Sequence, residues 1–196
     1  MFSTLDFFHA ILKPIQPTIR KMIIPDVELR KLVEQGYLPK GLNIGPSSVD
    51  LTLADSFSWP APQKKQIVLG EMVPHEQVQT SRFVIEPNHF VLASTVESIR
   101  VPFNMAAYVE GRSSIGRLGL QIQNAGFIDA GFHGQITLEL ENQSSFPIVL
   151  QAGVRICQIV FVQMSAEAEK PYCGKYNGQI GATPSRLEVD PEFKKK

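Results

Sequence analysis

From residue 66 onward the chain repeats one pattern: short runs rich in β-branched and aromatic residues, broken by stretches containing proline, glycine or asparagine. Gln66–Leu69, Arg82–Ile85, Phe90–Val96, Met105–Val109, Gly134–Asn142, Pro147–Leu150 and Val154–Met164 are the predicted strands. Such residues fit a pleated, half-buried surface, and the breakers between them supply turns. Upstream, Val49, Leu51 and Leu53 alternate behind the turn-rich run Asn43–Ser48, so another strand begins there. Many short strands with few helices predict a mainly β chain, an all-β sandwich or jelly-roll-like fold. One short helix is expected near the N-terminus. Asp26 would cap it, Leu29, Leu32 and Val33 have helical spacing, and Gly36 would end it.

A chain of 196 residues suits one domain with a real core. Residues 1–21 read as an appendage, because Pro14 and Pro17 halt the apolar run that starts at Phe2; the domain proper is 22–187, and the polar residues 188–196 form a tail expected to fray. No apolar run approaches the roughly 18 residues of a membrane span, and the start lacks the basic residues of a signal peptide. Cys157 and Cys173 have no C-x-x-C spacing and read as free thiols of a reducing, cytoplasmic setting. A formal net charge of zero argues against a nucleic-acid binder that neutralises many phosphates. A small anionic ligand needs only a few local positive groups and stays open.

The polar residues of interest fall between Glu110 and Glu141. In Gly134–Asn142, Ile136, Leu138 and Leu140 share one strand face, while Thr137, Glu139 and Glu141 share the other. Alone, that second face reads as ordinary solvent-facing surface. Upstream, Glu110–Gly119 holds three glycines, two serines and two arginines. Glycines admit close backbone approach to a phosphate, serines give short donors, and arginines give charge-assisted contacts. The same run also suits a tight turn into a short helix. Between the two lies the glycine-punctuated stretch Asn124–Gly134, read as a hairpin-like loop. Its Asp129 is either a turn residue or a ligand for a sugar hydroxyl or water.

Taken together these runs resemble the deoxycytidine triphosphate (dCTP) deaminase family of the trimeric dUTPase-like superfamily. The resemblance rests on Gly111-Arg112-Ser113-Ser114-Ile115-Gly116-Arg117-Leu118-Gly119-Leu120, on Ile128-Asp129-Ala130-Gly131-Phe132, and on Thr137-Leu138-Glu139-Leu140. Pro46–Leu51, Ala152–Gln158, Lys175–Gly181 and Ser185-Arg186 add to it, in the same order and over roughly residues 22 to 187. It implies a distorted jelly-roll or β-sandwich with a short N-terminal helix. It also implies hydrolysis of the 4-amino group of dCTP to dUTP and ammonia without zinc, and the chain lacks the zinc-deaminase signature of H-x-E with P-C-x-x-C. No metal-ligating residues are assigned.

By the same resemblance Glu139 is the general base and acid, Arg117 orients it or stabilises its charge, and Ser113 holds the water or the pyrimidine. Arg112, Ser113, Ser114, Gly116, Arg117, Thr137, Glu139, Gln158, Lys175 and Gln179 would contact the nucleotide, Tyr172 the nucleoside, and Asp129 the 3′-hydroxyl region. Glu141 matches no family motif and is read as structural, and His133 is expected to face solvent. Mg²⁺ would ride on the triphosphate, dTTP is a candidate inhibitor, and the expected assembly is a homotrimer with interface sites. Neither nucleic acid nor membrane is an expected partner.

Three rival functions stay open. A dUTPase would share the Asp129 motif, but it usually lacks the glutamate and ends in a glycine-rich arm. A bifunctional enzyme giving dUMP and pyrophosphate suits Ala125-Gly126-Phe127 ahead of Ile128-Asp129, although Asn124 departs from the threonine often found there. A nucleotide-sensing module that kept only the fold is disfavoured by the intact Ser113, Arg117 and Glu139.

Overall fold

The computed structural model describes residues 22–61, 66–123 and 126–194. The 1–21 appendage, together with Asn124 and Ala125, lies outside them. The elements run α1 (Asp26–Glu34), β1 (Val49–Pro60), β2 (His75–Gln79), β3 (Arg82–Ile85), β4 (Phe90–Arg100), β5 (Met105–Gly111), α2 (Ser113–Gly116), β6 (Leu120–Gln123), β7 (Phe127–Ile128), β8 (His133–Asn142), β9 (Ile148–Gln151) and β10 (Arg155–Gln163). Two 3₁₀ turns, Leu187–Val189 and Pro191–Phe193, follow. The mainly β expectation with a short N-terminal helix holds. Among the described residues no helix is long and apolar enough to cross a membrane.

An eight-stranded antiparallel sheet runs β6-β8-β4-β1-β10-β5-β7, with β2 also on β1, and β3 pairs with β9. β1 joins two halves of this sheet. Its first residues pair with β10, Val49 facing Ile159, while Phe57 and Ser58 pair with Ala93 and Leu92 of β4. Register shifts after Leu51 and after Leu53 mark where the strand passes from one half to the other. The β4–β8 ladder also shifts, between Ser94 and Ser98. There Thr95 Oγ1 accepts the Ile136 N–H at 3.0 Å and donates to Glu97 O at 2.9 Å, while the Glu97 carboxylate accepts the Thr52 N–H at 2.8 Å. The bulge's spare polar groups therefore tie three strands together instead of being lost.

Between the halves sits a core of Leu51, Leu53, Phe57, Leu138, Leu140, Ile159 and Phe161, all fully buried. The Phe57 and Phe83 rings stack at 4.6 Å between centroids. β8 shows the predicted alternation, with Ile136, Leu138 and Leu140 buried and Thr137, Glu139 and Glu141 only half-buried.

Four local expectations change. Pro25, in extended geometry, is the residue that caps α1; Asp26 makes no side-chain cap but pairs with Arg30 at 3.0 Å, one turn on. Its carboxylate then complements the positive end of the helix. Gln66–Leu69 is not a strand: the run has no alternation, and Ile67, Val68 and Leu69 line a cavity instead of pairing with a sheet edge. β2, which sequence reading missed, is a polar, mostly exposed edge strand with no hydrophobic face to announce it. The tail is folded back through 187–194 instead of fraying: Asp190 pairs with Lys175, and Phe193 packs on Gly70.

Candidate active site

The outward face of β8 supplies the site's first two groups. Glu139 and Thr137 stand opposite Leu92 and Ser94 of β4 and line a cavity of about 580 Å³. Removal from water pushes the Glu139 carboxyl above the usual carboxylate range. A carboxyl raised in this way is suited to give back a proton it has just accepted.

The loop after β7 brings Asp129 to the same cavity, and its glycine positions a further segment. Gly131 has φ +90°, and a Cβ there would lie 2.7 Å from Pro171 Cβ and 3.1 Å from the Tyr172 nitrogen. Only glycine lets the 171–172 backbone pass so near. The Tyr172 N–H then donates to Ala130 O at 2.7 Å, and its ring sits 6.2 Å from that of Phe132. Tyr172 and Phe132 form an aromatic wall of the cavity. Gln179 is held by a parallel bridge to Gly134, and its Nε2 donates to Gln135 O at 2.8 Å. Thr137 Oγ1 accepts the Thr183 N–H at 3.2 Å, which lays Thr183–Ser185 along the cavity edge. The irregular stretch from Ile67 to Glu71 also lines the cavity.

Five predicted residues thus converge: Asp129, Thr137, Glu139, Tyr172 and Gln179. The others do not line this cavity. Arg112 donates to Arg155 O at 2.9 Å, with its Nε 3.8 Å from Asp50. Asp50 in turn accepts from Arg155 and Asn43, each at 2.8 Å. Gln158 Oε1 accepts the Ser48 hydroxyl at 3.0 Å. Ser113, Ser114, Gly116 and Arg117 form or flank the single exposed turn α2. Among the described residues no hydrogen bond or ion pair joins Arg117 or Ser113 to Glu139. Lys175 pairs with Asp190, which raises its pKa further, chiefly through that hydrogen bond. His133 is exposed, as anticipated.

Sequence reading assigned no role to Phe132, His75, Leu92 or Thr183, all of which line the cavity. Phe132 sat inside a quoted motif, so an aromatic beside Asp129 was the available signal. Leu92 was hidden because a leucine in a strand reads as core.

The family model described as dCTP deaminase-like matches residues 23–164. The dUMP-forming dCTP deaminase of Sulfurihydrogenibium sp. is 45% identical over 179 residues, covering 86% of this chain and 99% of that protein. The enzyme of the same name from Persephonella marina is 43% identical over 180 residues, covering 87% and 100%. Among solved structures, the 2′-deoxycytidine 5′-triphosphate deaminase of Agrobacterium tumefaciens superposes with a TM-score of 0.58 at 23% identity, over 73% of this chain and 48% of that longer one. At that identity the likeness shows the fold alone, and it agrees with the mainly β architecture expected. The relatives' names overturn the first expectation about product, dUTP, and favour the bifunctional alternative: both are called dUMP-forming. By its matched length and by relatives above 40% identity, the chain belongs to the dCTP deaminase family.

Proposed function

We propose that this protein converts dCTP and two waters into dUMP, ammonia and pyrophosphate in one site. The observation that carries the reading is a pair of carboxylates on one cavity: Glu139, desolvated and raised in pKa, and Asp129 beside the aromatic wall. Two chemically different hydrolyses need two separately placed groups to activate their waters. Glu139 takes a proton from water as it attacks C4 of the cytosine, then delivers a proton to N4, and the C4–N4 bond breaks to release ammonia. Asp129 holds the 3′-hydroxyl region and activates the second water, which attacks the α-phosphorus and expels pyrophosphate. Tyr172 packs on the nucleoside, and Thr137 and Gln179 line its cavity.

The substrate is the Mg²⁺ complex of the nucleotide. Its donors would be mainly phosphate oxygens and water, the usual shell of a nucleotide-borne Mg²⁺. Arg112, Ser113, Ser114, Gly116, Arg117 and Gln158 lie outside the cavity of their own chain and complete the neighbouring site in a homotrimer. Lys175 takes a phosphate. dTTP, which lacks the 4-amino group, competes for the same site.

Incubation with dCTP and Mg²⁺, followed by chromatography and pyrophosphate detection, tests the reading. Equal amounts of dUMP and pyrophosphate are expected. dUTP accumulating without pyrophosphate overturns it.

A further inference from the structure

The proposed phosphate ligand Lys175 is already engaged. Its ammonium is paired with the Asp190 carboxylate and lies 5.4 Å above the Tyr176 ring, with the two charged side chains only 22% and 27% exposed. The tail that delivers Asp190 is anchored on both sides. Arg186 Nη1 donates to the Lys175 carbonyl at 2.6 Å, and the Arg186 N–H donates to the Tyr176 hydroxyl at 3.0 Å. Beyond Asp190, the Phe193 ring packs on Gly70, where a Cβ would come within 2.1 Å of the ring. Gly70 has φ +85° and belongs to the cavity rim. The tail therefore links the segment carrying Lys175 to a stretch that lines the cavity. Glu188 and Glu192 stand two residues to either side of Asp190, while Arg186 precedes them and Lys194 follows.

A carboxylate oxygen and a phosphate oxygen are the same kind of partner for an ammonium group, and one repels the other. From this juxtaposition we infer that Asp190 is a built-in competitor of the nucleotide's phosphates for Lys175, and so an affinity-determining residue. The inference rests on the reading of Lys175 as a phosphate ligand. A bound triphosphate displaces Asp190 from Lys175, and the Phe193 anchor on Gly70 resists that release.

Calorimetric titration of Mg²⁺–dCTP into the full chain carrying Glu139→Gln, whose deamination is slowed about 10²–10⁴-fold, provides the test. Adding Asp190→Asn is expected to tighten binding about 3- to 10-fold, in the range of a partly buried ion pair, and the gain shrinks at high salt. Phe193→Ala, which frees the anchor without touching the ion pair, shifts binding the same way by less. Deoxycytidine, with no phosphate, shows no gain. Unchanged or weaker dCTP binding in Asp190→Asn overturns the competitor role. Lys175→Ala separates the two levels. If it weakens binding while Asp190→Asn is neutral, only this inference fails; if it leaves binding unchanged, Lys175 is not a phosphate ligand and both fail.

Discussion

Glu139→Gln lowers activity and raises stability, and the two effects have one cause. Gln keeps the shape of the side chain and its place across from Leu92, so the β4–β8 ladder is undisturbed. What disappears is the ability to take and return a proton. General acid–base catalysis contributes about 10²–10⁴-fold, or roughly 3–5 kcal/mol on the barrier. Deamination should fall by that factor with KM nearly unchanged. Stability moves the other way. The folded-state pKa of Glu139 lies above its unfolded value because burial disfavours the anion. The fold therefore binds this proton more tightly than the unfolded chain does. Its contribution to stability is fully present below the unfolded pKa and is lost as pH rises through the folded one. At pH 7–8 the wild type carries that loss and the amide does not, so Glu139→Gln should melt at a higher temperature, with the gap closing toward pH 4. In the wild type, kcat/KM should fall as pH drops through the raised pKa. Differential scanning fluorimetry across pH and an ammonia-release assay read all three effects. A variant that deaminates within threefold of wild type, or that melts lower than wild type at pH 8, refutes the reasoning.

Asp129→Asn should spare the first hydrolysis more than the second, so chromatography of its products should show dUTP building up ahead of dUMP. Asn142 is fully buried; its Nδ2 donates to the carbonyls of Ile85 and Phe146 at 2.8 Å, and its Oδ1 accepts from the Ser144 N–H and hydroxyl. Asn142→Leu strands those groups and should cost about 2–4 kcal/mol in urea unfolding, whereas a loss near zero would mean that the β8–β9 turn repacks freely. The Cys157 thiol is buried and pushed up to about 12, first by desolvation and then by Glu97 and Asp50, while Cys173 is exposed. A maleimide at pH 7.5 should modify Cys173 alone in the native protein and both thiols after unfolding, as mass spectrometry would show.

β8 was legible because its two faces differ in chemistry: the apolar alternation marks the core, and of the polar residues left over Thr137 and Glu139 line the cavity. Glu139 and Asp129 were singled out by the family resemblance of the short runs they stand in, since alone Glu139 reads as solvent-facing surface and Asp129 as a turn residue as readily as a ligand. The cavity rim from Ile67 to Glu71 was misread because a run of apolar residues looks the same whether it pairs in a sheet or lines a pocket. β2 was missed because an edge strand open to water needs no hydrophobic signal. The fold-back at Asp190 and Phe193 was not legible at all. It depends on a left-handed glycine more than a hundred residues upstream and on a lysine that sequence reading had reserved for phosphate. The split of the predicted residues between the cavity and the Arg112–Gln158 surface was equally hidden, since order along the chain says nothing of which face each loop reaches.

The way β1 joins the sheet also fixes the order in which the molecule can assemble. Its first half has its partner in β10, and the Arg155–Asp50 ion pair beside that ladder spans 105 residues. Closing so large a loop comes before any reward from the contacts it makes, so this pairing belongs among the slow steps of folding. On the ribosome the N-terminal half of β1 waits for nearly the whole domain to be made, with Leu51 unsatisfied until Cys157 arrives opposite it. β4 and β8 are joined by a far shorter stretch, so their ladder can close earlier. The carboxylate-bearing face of Glu139 is then built before the sheet that shelters it has closed.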